Sequence, residues 1–167
     1  LANYVLEDKA KLIIADKNIE KLDYIKGLQE KYPFKIEIVD HNEIHTKEVD
    51  VYSPCAMGND LRISRISHMN CKVICGAANN QLDIVDPEIA KSQLMDNNIL
   101  YVPDTIANAG GVFRSAGAIL KSRNEDESFK LITTIYDRTL SILDMASEHR
   151  ISPADVCTEI GQAILGK

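Results

Sequence analysis

Apolar positions along the chain change their period several times, and the changes outline strands alternating with helices. Lys11-Leu12-Ile13-Ile14-Ala15-Asp16 is a short apolar run closed by an acid, the pattern of a strand buried in a parallel sheet. Residues 1–9 before it read as the last turns of a helix, with Leu1, Val5 and Leu6 on its apolar side. Asn18 can cap a helix from about 19 to 31, where Ile19, Leu22, Ile25 and Leu28 recur at helical spacing. Pro33 ends that helix, Phe34 to Val39 alternates as a strand, and Val49 to Ser53 forms another. A further apolar run, Cys71 to Gly76, leads into a polar loop at 77–84. Asp86-Pro87-Glu88 opens a helix over roughly 85–96, Asn97-Asn98 stop it, and Ile99 to Val102 is the next strand. From Thr105 the period is helical: through about 120, then 127–148, then 153–165. Asn124 to Glu127 forms a polar break, and Ser152-Pro153 starts the last helix.

This alternation implies βαβ units and a largely parallel sheet, with three helices in succession at the C-terminal end. No internal repeat, low-complexity tract or linker rich in Gly, Pro and Ser interrupts it, so the pattern reads as one compact unit. Composition agrees: 167 residues, 45% hydrophobic and 26% charged, can bury a real core. The formal charge of −6, with no stripe of Lys and Arg, disfavours a nucleic-acid role. No apolar run approaches the ~20 residues of a membrane helix, and Leu1-Ala2-Asn3-Tyr4 is not a signal peptide. Cys55, Cys71, Cys75 and Cys157 contain no Cys-x-x-Cys, which argues against a disulfide framework or a zinc site and for a reducing compartment, the cytoplasm by default. No metal site is expected. His41 and His45 stand four apart in a charged, loop-like stretch, and the other histidines are isolated.

In open α/β sheets ligands bind beyond the carboxyl ends of the strands, so the residues just after each strand carry the candidate chemistry. Asp16 ends the first strand. In dinucleotide-binding domains an acid there hydrogen-bonds the adenosine ribose, ~20 residues after a glycine-rich phosphate loop. Counting back from Asp16 places that loop before Leu1. A carboxylate also disfavours the 2′-phosphate of NADP; the plainer role, capping the following helix, is equally open. Ser53-Pro54-Cys55-Ala56-Met57-Gly58 follows the Val49 to Ser53 strand, and its small residues at Ala56 and Gly58 would let a flat ligand approach the backbone. Cys55 has no nearby base to make it a nucleophile. Gly76-Ala77-Ala78-Asn79-Asn80-Gln81 offers adjacent amides suited to ribose hydroxyls or a carboxamide, or forms an ordinary polar turn. In Pro103 to Val112 two glycines enter a helix and expose backbone N–H groups, with Ser115 one turn beyond Val112. The plainer reading is glycine kept for tight helix packing.

In combination and in this order, Cys55-Ala56 after a Val-Asp-Val strand, Ala78-Asn79-Asn80-Gln81-Leu82, and Pro103-Asp104 leading to Asn108-Ala109-Gly110-Gly111-Val112 resemble one family. The chain looks like the C-terminal domain of the glutamate, leucine, phenylalanine and valine dehydrogenases, nearest the leucine/phenylalanine branch, over roughly residues 1–165. The resemblance implies a Rossmann-like, doubly wound α/β fold with a mostly parallel sheet, lacking its first strand and ending in helices. It implies reversible oxidative deamination of an L-amino acid of the leucine, valine or phenylalanine type to a 2-oxo acid and ammonia. NAD takes the hydride, and the full-length protein is expected to be a homo-oligomer. By position, Asp16 would bind the ribose, Cys55, Ala56, Ala78 and Asn79 would line the cofactor cleft, and Asn108 would sit near the nicotinamide and the substrate carboxylate. Val112 and Ser115 would shape the side-chain pocket; serine at the latter position is the glutamate-type choice, which leaves the substrate open. The family's catalytic lysine and aspartate belong to an N-terminal domain, so no residue here is assigned as catalytic. The 167 residues alone are expected to be inert and to bind NAD weakly. The alternative is a non-catalytic dinucleotide-binding or scaffold module derived from the same family.

Overall fold

Every apolar run contributes a strand: β1 Leu12–Ile14, β2 Ile36–Ile38, β3 Glu48–Tyr52, β4 Asn70–Ile74 and β5 Leu100–Tyr101, each ending earlier than the run and β3 and β4 starting one residue before it. The computed structural model describes residues 1–33, 35–119 and 124–166, so the expectations at Phe34 and at the helix end near 120 lie outside the described residues. All pairings are parallel. β1 pairs with β2, Leu12 opposite Ile36, and β4 lies between β3 and β5, with Tyr52 opposite Ile74 and Ile74 opposite Tyr101. Strands alternating with helices in this way make a Rossmann-like α/β fold.

The sequence reads as one compact unit, but the chain divides into two, Leu1–Lys47 and Glu48–Lys167. Among the described residues no ladder joins the β1–β2 sheet to the β3–β4–β5 sheet, so each sheet organises its own core. In the first unit α1 (Ala2–Glu7) and α2 (Ile19–Lys31) accompany the two short strands. Leu6, Ile25 and Ile36 are buried together, with Leu12, Ile14, Leu28 and Ile38 packed against them. Asn18 caps α2 as expected, its side chain accepting the Glu20 N–H at 2.9 Å.

In the second unit Leu61, Ile66, Ile74, Ala90 and Leu94 are closed off from solvent. Burying each of the larger ones is worth about 1.5–3 kcal/mol. They come from the β3–β4 connection, from α3 (Ile63–Ile66), from β4 itself and from α4 (Pro87–Asp96). Asn98, at φ 54°, makes the left-handed turn that returns the chain from α4 into β5.

The C-terminal helices are shorter than the periodicity predicts. The first splits into α5 (Asp104–Ala107) and α6 (Gly110–Ile119), interrupted at Asn108-Ala109 just before two glycines, the weakest helix formers after proline. The second splits into α7 (Glu125–Thr133) and α8 (Ile135–His149). There Thr133 and Thr134 turn their hydroxyls onto the carbonyls of Lys130 and Leu131 (2.8 and 2.7 Å), offering the backbone an alternative to the helix ladder. The polar break at Asn124 is a capping box. Its side chain accepts the Glu127 N–H, and the Glu127 carboxylate accepts the Asn124 N–H, both at 2.9 Å. Ser152 caps α9 (Pro153–Ile164), whose Val156 packs with Ile142 and Ala146 of α8.

Candidate active site

The loops after β3 and β4 are tied together along their length. Ala78 donates its N–H to the Pro54 carbonyl (2.9 Å), Asn59 to Asn80 (2.7 Å) and Leu61 to Gln81 (2.9 Å). Two glycines permit this. A methyl group at Gly76 would lie 2.2 Å from the Pro54 oxygen, and one at Gly58 would lie 2.6 Å from the Asn79 oxygen. The space at Gly58 is therefore filled by the neighbouring loop's backbone, which corrects the idea that its smallness admits a ligand. Asn59 and Asn80 both take left-handed conformations (φ 59° and 52°), a role asparagine tolerates better than most residues.

The tied loops present an amide pair. The Asn108 Nδ2 faces the carbonyls of Ala77 (3.2 Å) and Ala78 (3.3 Å) and the Asn79 Oδ1 (2.6 Å). Two carbonyls can be met only by a donor, so the Asn108 amide has one orientation, and Asn79 must then turn its oxygen toward it. This leaves the Asn79 Nδ2 as a donor and the Asn108 Oδ1 as an acceptor, with no partner for either among the described residues. Asn79 is exposed and Asn108 half-buried.

Sequence reasoning missed two residues that hold this pair. Gln81 is fully buried, and its Nε2 donates to the carbonyls of Gly76 (2.9 Å) and Ala78 (2.8 Å). Asp104 accepts the Asn80 N–H (2.7 Å) and the Tyr101 hydroxyl (3.0 Å), fastening the loop to the start of α5. Burial, followed by the charge of Asp104, pushes the Tyr101 hydroxyl well above the ordinary tyrosine range. The only sequence signal for either was its place inside a motif quoted for other residues.

The remaining predicted residues fall into three groups. Cys55 and Ala56 are exposed on the loop after β3, with the Cys55 Sγ 3.3 Å from the Ser53 hydroxyl. Ala78 is 3% exposed, so its side chain lines no open surface, and its contribution is the carbonyl held by Asn108 and Gln81. Val112 and Ser115 are both exposed on α6. Gly111 opens onto empty space, and a methyl at Gly110 would make ordinary contact with Ile132 at 3.6 Å, so helix packing requires neither glycine. A separate cleft of about 440 Å³, lined by Thr105, Ile106, Arg138, Ile142 and Met145 among others, contains none of the predicted residues.

Asp16 belongs to the first unit. Its Oδ1 accepts the Asn18 N–H at 2.9 Å, and its Oδ2 stands 3.7 Å from the Lys21 ammonium. The backbone hydrogen bond is the main reason its carboxyl sits below the usual aspartate value. The cap of α2 is Asn18, and Asp16 supports the turn one step earlier. It lines a cleft of about 330 Å³ with Ile14, Lys21, Leu22, Tyr24 and Ile25.

The fold is Rossmann-like, and the polar amide cluster lies just beyond its parallel strands, where open α/β sheets carry their ligands. The family model for glutamate/leucine/phenylalanine/valine dehydrogenase matches residues 4–152, and the chain belongs to that family. It is 34% identical to the valine dehydrogenase of Streptomyces coelicolor over 163 residues, 97% of this chain and 43% of the relative. It is also 34% identical to the leucine dehydrogenase of Thermoactinomyces intermedius over 151 residues, 90% of this chain and 39% of the relative. Among solved structures, the L-tryptophan dehydrogenase of Nostoc punctiforme superposes with a TM-score of 0.81 at 29% identity, covering 96% of this chain and 46% of that one. The chain thus spans less than half the length of these relatives. Valine and leucine enzymes match at equal identity, so similarity alone does not select a branch.

Proposed function

We propose that these residues form the C-terminal, NAD-binding domain of an enzyme that reversibly deaminates an apolar L-amino acid to its 2-oxo acid and ammonia. The observation that carries this reading is the free donor and acceptor on the Asn79–Asn108 pair. A carboxamide offers one acceptor and one donor, so the pair complements the nicotinamide amide in chemistry. NAD, when bound, supplies the hydride acceptor.

The chain's own residues bind and orient. The Asp16 Oδ2 takes a ribose hydroxyl. Asn79 and Asn108 hold the carboxamide, with the Ala78 carbonyl, Gln81 and Asp104 fixing their geometry. Cys55 and Ala56 lie against the dinucleotide, and the open space at Gly111 admits it. Val112 and Ser115 face the substrate side chain. The proton-handling groups belong to other parts of such an enzyme, so this chain alone turns over no substrate and binds NAD weakly, without a phosphate loop to hold the pyrophosphate. Titrating NAD into the chain while following the side-chain amides of Asn79 and Asn108 by NMR tests the reading. Both should shift at millimolar NAD, and Asn108→Ala should abolish the change. Shifts confined to other residues would refute the assigned site, and amino-acid-dependent NADH production by the chain would refute its inertness.

A further inference from the structure

A ribose-binding acid at a strand end, acting alone, repels a phosphate on the neighbouring ribose hydroxyl, which disfavours NADP. Here the acid is not alone. Lys21, five residues on and in the first turn of α2, holds its ammonium 3.7 Å from the Asp16 Oδ2. Both side chains line the same 330 Å³ cleft, whose apolar wall of Ile14, Leu22 and Ile25 suits a flat base. The Asp16 Oδ1 is occupied by the Asn18 N–H, so the oxygen left for a ribose hydroxyl is the one facing the cation. Lys21 is 69% exposed in its side chain, so it can turn from the carboxylate to a new anion at little cost. Two further charges adjoin in sequence, Lys17 and Glu20, and they balance one another.

We propose that Lys21 makes the adenosine end of this chain tolerant of a 2′-phosphate, so that the cofactor is accepted with or without that group. This rests on the reading of Asp16 as the ribose-binding acid. Without phosphate, Asp16 accepts the ribose hydroxyl while Lys21 offsets its charge. With phosphate, Lys21 pairs with the added dianion and offsets part of its charge, which lessens its repulsion by Asp16.

The test compares adenosine with adenosine 2′-monophosphate on the 167-residue chain, each titrated by NMR at the amides of residues 14–25. The expected result is comparable affinity for the two. Lys21→Gln should weaken the 2′-phosphate about fivefold relative to adenosine, the scale of an exposed ion pair. Lys21→Glu should weaken it further. Adenosine binding with exclusion of the 2′-phosphate would overturn the role of Lys21 and leave the ribose reading standing. Equal weakening of both ligands by Lys21→Gln would also overturn it, reducing the residue to cleft wall. Failure of adenosine to perturb Asp16 and its neighbours would overturn the ribose reading, and this proposal with it.

Discussion

One chemical change, glycine to alanine, should have opposite effects at two positions of the second unit. At Gly76 the new methyl carbon would lie 2.2 Å from the Pro54 oxygen and 2.6 Å from the Pro54 nitrogen and Cδ. Comfortable contact needs about 3.5 Å, so the two loops must part by about 1 Å. That movement breaks the Ala78 N–H to Pro54 bond and draws the Gly76 carbonyl away from the buried Gln81 amide. Two hydrogen bonds at about 1 kcal/mol each and overpacking of about 1–3 kcal/mol give a loss of about 3–5 kcal/mol. This is a large part of the ~5–15 kcal/mol available to a domain. At Gly111, in the first turn of α6, a methyl meets nothing within 4 Å. Better helix propensity there gains up to about 1 kcal/mol. Urea unfolding followed by far-UV circular dichroism reads both, since α3 to α9 all belong to this unit. The Gly76→Ala midpoint should fall by roughly 2 M and the Gly111→Ala midpoint should hold or rise. Gly111→Ala should nonetheless lose the NAD-induced shifts at Asn79 and Asn108, because the opening it fills is the one assigned to the cofactor. A Gly76→Ala midpoint equal to the parent's would refute the close approach of the loops. A destabilised Gly111→Ala would show that the helix start needs its glycine for folding.

Two further outcomes follow from side-chain environments. Asp83 accepts the N–H groups of Val85 (2.9 Å) and Ile63 (3.1 Å), and these hold its carboxyl below the ordinary value. A folded value below the unfolded one, about 3.9, means the contribution is complete above that pH and disappears as pH falls through the folded value. Thermal melts should therefore show Asp83→Asn less stable than the parent at neutral pH, with the gap closing below about pH 4; a gap independent of pH would contradict this. Cys55 is exposed, whereas Cys71, Cys75 and Cys157 are half-buried and burial pushes their thiols up. Iodoacetamide at mildly alkaline pH should label Cys55 first, as read by peptide mass spectrometry, and faster labelling of any other cysteine would show that its segment opens.

What was legible in the sequence was what neighbouring residues decide. Asn18 caps α2 because its side chain reaches a backbone N–H two residues away, and Pro153 starts α9 because its ring is compatible with a first turn; neither depends on the rest of the fold. The apolar runs became strands for the same reason. The splits at Asn108 and Thr134 were less visible, because a hydrophobic period continues across them while the backbone does not. Least legible were Gln81, Asp104 and Gly76. Their roles are set by contacts 3 to 24 positions away, and no local pattern marks a buried amide that serves two carbonyls. Asn79 and Asn108 were found by their motifs, but their pairing, which determines what they can bind, exists only once β4 and α5 are in place.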